Sequence, residues 1–267
     1  MRRQPPGRQG RRASHADPGL GGEQVEGRQA VRELLRSGQR RVHQVSLIGA
    51  EGGSGPLREL AALAEAKTIP VRHVGRQAIE EMSRTDSPQG VVALADPVVA
   101  VDLEVLARGS DAGGPPFLVV VDGVTDPHNL GAIMRSALCA GATGMVIARH
   151  RSAHLTPAAV KAAAGAVEHL PVALVAGIPG ALSRLSSAGL WLVGLTAGAA
   201  VTIWDLPVGP EPLAVVMGAE GSGLSRLTRQ RCDLEAGIPL RGPLGSLNVS
   251  AAAAIACFEI ARRRSQP

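Results

Sequence analysis

The sequence predicts an α/β protein, and three observations carry that expectation. From residue 117 onward, short aliphatic runs alternate with stretches of helical periodicity. A shorter alternation of the same kind occupies residues 23–97. Apolar residues make up 45% of the 267, yet Tyr is absent and only two Trp and two Phe occur, so the core has to be built from Val, Leu, Ile and Ala. A chain of this length buries enough surface for one large or two modest domains.

Residues 1–22 are rich in Arg, Gly, Gln and Pro and carry no aromatic residue, which predicts a disordered tail. Arg2, Arg3, Arg8, Arg11 and Arg12 all precede the first acidic residue, Asp17, so the tail alone matches the net charge of +5. Such an arm attracts polyanions, RNA above all, through counterion release; it serves equally as a solubilising tail. Order begins near Val25-Glu26-Gly27, where Ala30, Val31, Leu34 and Leu35 share one helix face. Strands are expected at 44–48, 70–74 and 90–94, with helices at 56–66 and 76–83 between them. Residues 98–116 end in a Gly/Pro-rich stretch and read as a linker.

The run at 117–121 is wholly apolar, as in a strand covered on both faces, and 143–148, 171–175, 190–195 and 213–217 are similar. Helices are expected at 130–139, 157–167, 179–187, 224–230 and 249–263. The result is a mostly parallel sheet with helices on both sides, in which ligands bind at the carboxyl ends of strands. Three motifs follow strand-like runs. The first, Asp126-Pro127-His128-Asn129-Leu130-Gly131 with Arg135 beyond, reads as a turn followed by a helix capped by Asn129. Gly131 and Arg135 lie four apart, which suggests open space beneath the guanidinium. The second, Gly218-Ala219-Glu220-Gly221-Ser222-Gly223-Leu224, allows close backbone approach to a ligand, with Glu220 either a partner for a helix N-terminus or a working carboxylate. The third, Ile238-Pro239-Leu240 and Ser246-Leu247-Asn248-Val249-Ser250, offers more small polar residues than one helix start needs.

Several classes are disfavoured. The spacing of the second motif is not GxGxxG and comes late in the chain, which argues against a dinucleotide fold. Cys139, Cys232 and Cys257 are scattered and support neither a disulfide framework nor a zinc site; Cys139 and Cys257 fall in apolar helical patterns expected to bury them. Asp122 and Asp126 suit turns and helix starts better than a metal, and no metal is expected. The basic N-terminus lacks an apolar h-region and no apolar run reaches a membrane span, so a cytoplasmic protein is expected.

Taken in this order and spacing, the three motifs resemble the SpoU (TrmH-like) family of RNA ribose 2′-O-methyltransferases. The segment Glu26-Gly27 with Ala30, Val31 and Glu33 resembles the opening of the small L30e-like domain found in the rRNA-modifying branch; Gln89 to Ala93 fits its end, although Pro88 stands where a histidine is expected. The resemblance implies a trefoil-knotted C-terminal domain over 117–267, an L30e-like RNA-binding domain over 23–97 and S-adenosylmethionine as cofactor. It also implies a homodimer whose active site draws on both protomers. The implied reaction is 2′-O-methylation of a guanosine ribose in 23S rRNA; the alternatives are the same chemistry on tRNA or another rRNA site, and a non-catalytic RNA-binding assembly factor. Carried over by position, Arg135, Asn129, Glu220, Ser246 and Asn248 stand at the reacting centre, while Thr196, Gly218, Ile238 and Leu247 line the cofactor. A free guanidinium stays protonated to a pH above about 12, so Arg135 is better suited to clamp a phosphate and stabilise a developing alkoxide than to act as a base.

Overall fold

The computed structural model describes residues 19–49, 55–109, 114–207 and 210–265. The arginine-rich run from Arg2 to Arg12 lies outside the described residues, as do 110–113 of the expected linker.

The first unit contains strand β1 (Gln24–Glu26), helix α1 (Arg28–Ser37), β2 (Val42–Ile48), α2 (Pro56–Ala66), β3 (Val71–Val74), α3 (Arg76–Met82) and β4 (Val91–Ala95). Its sheet runs β1-β4-β2-β3, with β2 and β3 parallel and the other pairs antiparallel. Helix α1 buries the stripe Ala30, Val31, Leu34 and Leu35 against this sheet and stops at Gly38, whose φ of 62° is left-handed. The Glu26 carboxylate is fully buried but accepts hydrogen bonds from the Ser83 and Thr85 hydroxyls, the Arg84 amide and the Gln24 side chain.

The second unit continues with α4 (Leu103–Arg108), β5 (Phe117–Val121), α5 (Pro127–Cys139), β6 (Gly144–Ala148), α6 (Pro157–Ala163), β7 (Val172–Val175), α7 (Ile178–Ser187) and β8 (Trp191–Leu195). It closes with β9 (Val201–Thr202), β10 (Leu213–Met217), α8 (Arg226–Arg229), β11 (Leu234–Gly237) and α9 (Val249–Arg264). A 3₁₀ turn at Ala166–Glu168 lies between α6 and β7. All seven strands are parallel, in the order β7-β6-β5-β10-β8-β11-β9. Alternation within each strand feeds two cores: Phe117, Val119 and Val121 join one cluster with α5, α6 and α9, while Leu118 and Val120 join the other with α4 and α7. An all-apolar strand is the sequence signature of that two-sided burial.

The two units share a continuous hydrophobic cluster. Across their boundary the Arg40 guanidinium pairs with both Glu168 oxygens and also donates to the Gly22 and Asp96 carbonyls, each at 2.8 Å. The two side chains are only 8% and 2% exposed.

Four expectations need correction. Residues 19–22 are packed: Leu20 is buried and Gly21 pairs with Leu155, because a large aliphatic residue there finds the core. The segment 98–116 contains α4, whose Leu103 and Leu106, three apart on one helix face, bury against α7. Cys139 is exposed at the last position of α5, on the face it shares with the exposed Arg135 four residues earlier. Cys257 is buried as expected, and burial pushes its thiol up to about 12. Strands β1, β9 and β11 were not foreseen, being at most four residues long. Among the described residues no helix is long and apolar enough to cross a membrane.

Candidate active site

The three motifs meet where β5, β10 and β11 end. Helix α5 starts differently from the sequence expectation. Asp126 is the N-cap, accepting a hydrogen bond from the His128 amide at 2.9 Å, because Pro127 takes the first helical position, where a missing N–H costs nothing. Asn129 is thereby freed from capping and turned inward. Its amide donates to Asp126 at 3.2 Å and to the Glu220 carboxylate, and its oxygen accepts from the Asn248 amide at 3.1 Å.

Glu220 is delivered by a tight loop after β10. Ala219 and Gly223 exchange two backbone hydrogen bonds, of 3.0 and 2.9 Å, and Gly221 and Gly223 adopt φ of 76° and 67°. At Gly218 an added Cβ would stand 2.0 Å from the Gly223 carbonyl carbon, so only glycine fits. Asp122 accepts from the Ser225 amide at 3.3 Å and ties this loop to β5. Both candidate metal carboxylates thus serve backbone amides.

Asn248 is the N-cap of α9. Its oxygen accepts from the Ser250 amide at 2.8 Å and the Ser250 hydroxyl at 2.6 Å, which commits its NH₂ group to Asn129 and, at 3.5 Å, to Glu220. Three side chains from three distant segments therefore form one network.

Beside the network opens a cleft of about 450 Å³, lined by Thr196, Gly218, Ile238, Leu247 and Ser246 together with Glu220 and Asn248. Eight of the nine sequence-derived site residues converge at this cleft or at the network on its rim. Leu195, Met217 and Ala252 also line it and were not singled out beforehand. The first two end strands β8 and β10, the place where ligands bind in parallel sheets, and that rule was the available signal.

Arg135 is not among the eight. Six positions beyond Asn129 at 3.6 residues per turn, it points roughly 120° away around the helix. It is exposed and faces a separate groove with His128 and Lys161. Gly131 does not open space beneath it: an added Cβ would lie 2.3 Å from the Ala159 carbonyl oxygen, so this glycine lets α5 and α6 touch.

The chain that builds this arrangement, with a glycine loop and a capped C-terminal helix around one cleft at the strand ends of a seven-stranded parallel sheet, is similar to known proteins in sequence and in fold. A model of the SpoU rRNA methylase family matches residues 116–258, and a model for RNA 2′-O ribose methyltransferase substrate binding matches residues 24–99. The chain belongs to the SpoU rRNA methylase family. It is similar to the 23S rRNA (guanosine-2′-O-)-methyltransferase RlmB of Pseudomonas putida, with 40% identity over 246 residues that cover 91% of this chain and 97% of that protein. Among solved structures, the SpoU methyltransferase AviRb from Streptomyces viridochromogenes aligns with a TM-score of 0.75 at 25% identity, covering 90% of this chain and 89% of its own. An AdoMet-bound rRNA methyltransferase from Sinorhizobium meliloti aligns at 0.73 and 25% identity, over 91% and 88%.

Proposed function

We propose that the protein methylates the 2′-hydroxyl of a guanosine ribose in 23S rRNA, using S-adenosylmethionine, as a homodimer in the cytoplasm. The observation that carries this reading is the Asn129–Glu220–Asn248 network on the rim of the glycine-walled cleft. The similarity to an RlmB enzyme over nearly the whole chain favours 23S rRNA, and the AdoMet-bound relative favours the cofactor.

The cleft suits that cofactor. Leu195, Ile238, Leu240 and Leu247 offer aliphatic walls for an adenine and a thioether, and the main chain at Gly218 stays bare because no side chain fits there. When bound, the cofactor supplies a sulfonium methyl that needs no further activation. Thr196, Gly218, Ile238 and Leu247 would hold it, with Ser246 and Asn248 beside the reacting centre. Glu220 orients the amides of Asn129 and Asn248, which position the ribose. Arg135 clamps the adjacent phosphate and stabilises the alkoxide that develops as the hydroxyl proton leaves to water. Methyl transfer from the bound cofactor to the ribose oxygen would leave a methylated ribose, a neutral thioether and one proton, so charge and atoms balance.

Arg135 faces away from the network of its own chain, which favours a site completed by a second copy. Phe258, half-exposed on α9, gives a second copy an apolar surface beside α5. The C-terminal domain, 117–267, is read as a trefoil knot: the chain leaves β11 with Gly237 pressed against the Thr196 carbonyl, where a Cβ would come to 2.9 Å, and returns as α9 to pack on α5. The unit at 23–97 is read as an L30e-like domain that grips folded RNA, joined by 98–116 and preceded by the basic tail.

The test incubates the purified protein and cofactor with unmodified 23S rRNA and, separately, tRNA, and identifies methylated nucleosides by mass spectrometry. 2′-O-methylguanosine in 23S rRNA alone is the expected result. Product in tRNA alone overturns the substrate; no product and no cofactor binding overturn the reaction.

A further inference from the structure

The groove that receives Arg135 runs along the boundary of the two units. It encloses about 370 Å³, the scale of a nucleotide rather than of an ion. One wall is Gly27 at the start of α1, with Gln89 before β4; the other is His128 and Arg135 of α5 and Lys161 of α6. The charge on these walls is unevenly matched. Neither the Arg135 guanidinium nor the His128 ring has a hydrogen-bond or ion-pair partner among the described residues. Lys161 is one of only two lysines in the chain, and among the described residues its amine donates only to the Thr85 hydroxyl, at 3.4 Å. The one acidic residue in the lining, Glu26, is already occupied by four donors from its own unit.

Lys161 is also held in place by the N-terminal unit. Its stem lies over Gly27 of the other unit, whose absent Cβ would stand 3.4 Å from the lysine Cγ. Gln89 accepts from the Arg28 amide at 3.0 Å through its side-chain oxygen, which turns its NH₂ group free. One wall therefore presents the Arg135 guanidinium and the Lys161 ammonium, the latter held in place, and the opposite wall presents an amide donor.

We propose that this groove is an RNA subsite: it holds the phosphodiester next to the reacting nucleotide between Arg135 and Lys161, with Gln89 donating to that nucleotide from the N-terminal unit. Lys161 and Gln89 are then positioning residues for the substrate, and the subsite couples the unit that grips RNA to the helix that bears Arg135. The inference rests on the methyltransferase reading above, since Arg135 defines where the strand passes.

The experiment compares the full chain with Lys161→Gln and Lys161→Arg, measuring kcat and KM for 23S rRNA, cofactor affinity by calorimetry, and the salt dependence of RNA binding. Loss of one phosphate contact raises KM for RNA about tenfold and lowers the slope of log K against log salt by about one. The expected result is that change in Lys161→Gln with kcat and cofactor affinity unmoved, and recovery in Lys161→Arg. Methylation by the wild type with KM and salt slope unaltered in Lys161→Gln overturns the subsite and leaves the methyltransferase reading standing. A wild type that neither binds nor methylates RNA overturns both. Should Lys161→Gln fold poorly, 4-thiouridine cross-linking of the wild type decides: adducts on peptides containing Gln89 or 158–162 support the subsite, and adducts confined to other surfaces overturn it.

Discussion

Single side chains in this protein are fixed by what their second polar atom does. Asn248 spends its oxygen on the first turn of α9, so its NH₂ group has one direction left, toward Asn129 and Glu220. Replacing Asn129 by Ala leaves Glu220 and Asn248 short of partners, which costs about 1–3 kcal/mol; a fall in denaturation midpoint together with weakened methylation is the expected result. Arg135→Ala is expected to differ, leaving stability and cofactor affinity intact while kcat falls by about 10²–10³, the usual loss for one donor to a developing oxyanion. A midpoint shift in Arg135→Ala would show that its role is structural. Glu26 supplies the pH dependence. Burial alone pushes its carboxyl up, but the hydrogen bonds from Ser83, Thr85, Arg84 and Gln24 outweigh that and hold it below the ordinary 4.5. A depressed carboxylate contributes stability that is complete above 4.5 and is lost as pH falls through its lower native value. Glu26→Gln is expected to lower stability at neutral pH and to flatten the acid limb of an unfolding-against-pH curve.

At the scale of elements, most of the secondary structure was legible, because the aliphatic runs are long enough to reveal two-sided burial. Strands β5 and β10 coincide with the expected runs 117–121 and 213–217. Strands β9 and β11 escaped, since two residues carry no period and Leu234-Glu235-Ala236-Gly237 is not an aliphatic run; β11 matters because the third motif hangs from it. The site was legible as a set of residue types but not as a geometry. Asn129 looked like a cap and is a network member; Gly131 looked like open space and is a contact. The cap is displaced by a local cause, Pro127 taking the first helical position, whereas the contact at Gly131 comes from α6, which local spacing does not reveal. Gly131→Ala follows from that contact: a methyl group 2.3 Å from the Ala159 oxygen forces α5 and α6 apart, at a cost of about 1–3 kcal/mol. A thermal midpoint unchanged by this substitution would mean that the two helices separate freely.

For the molecule as a whole, the joint between the units is the feature that decides how they act together. A buried guanidinium bound to one carboxylate and two carbonyls is costly to break from one side, about 3–5 kcal/mol. Arg40→Met is therefore expected to split a single unfolding transition in calorimetry into two, one per unit. Arg40→Met combined with Glu168→Met restores much of the loss, because no unpaired charge is left buried. Identical traces for the single and double variants would show that packing, not the ion pair, holds the joint.

The network on the cleft also imposes an order of events on synthesis. Asn129 and Asn248 are separated by 119 residues, and β10 completes the centre of the sheet only after β6, β7 and β8 exist. As the ribosome extends the chain, the first unit and the early strands are in hand long before α9 emerges. Nothing upstream supplies the Asn248 amide or the return of the chain onto α5. On the proposed reading, a nascent chain whose first unit is already folded cannot methylate RNA until α9 has emerged and supplied Asn248.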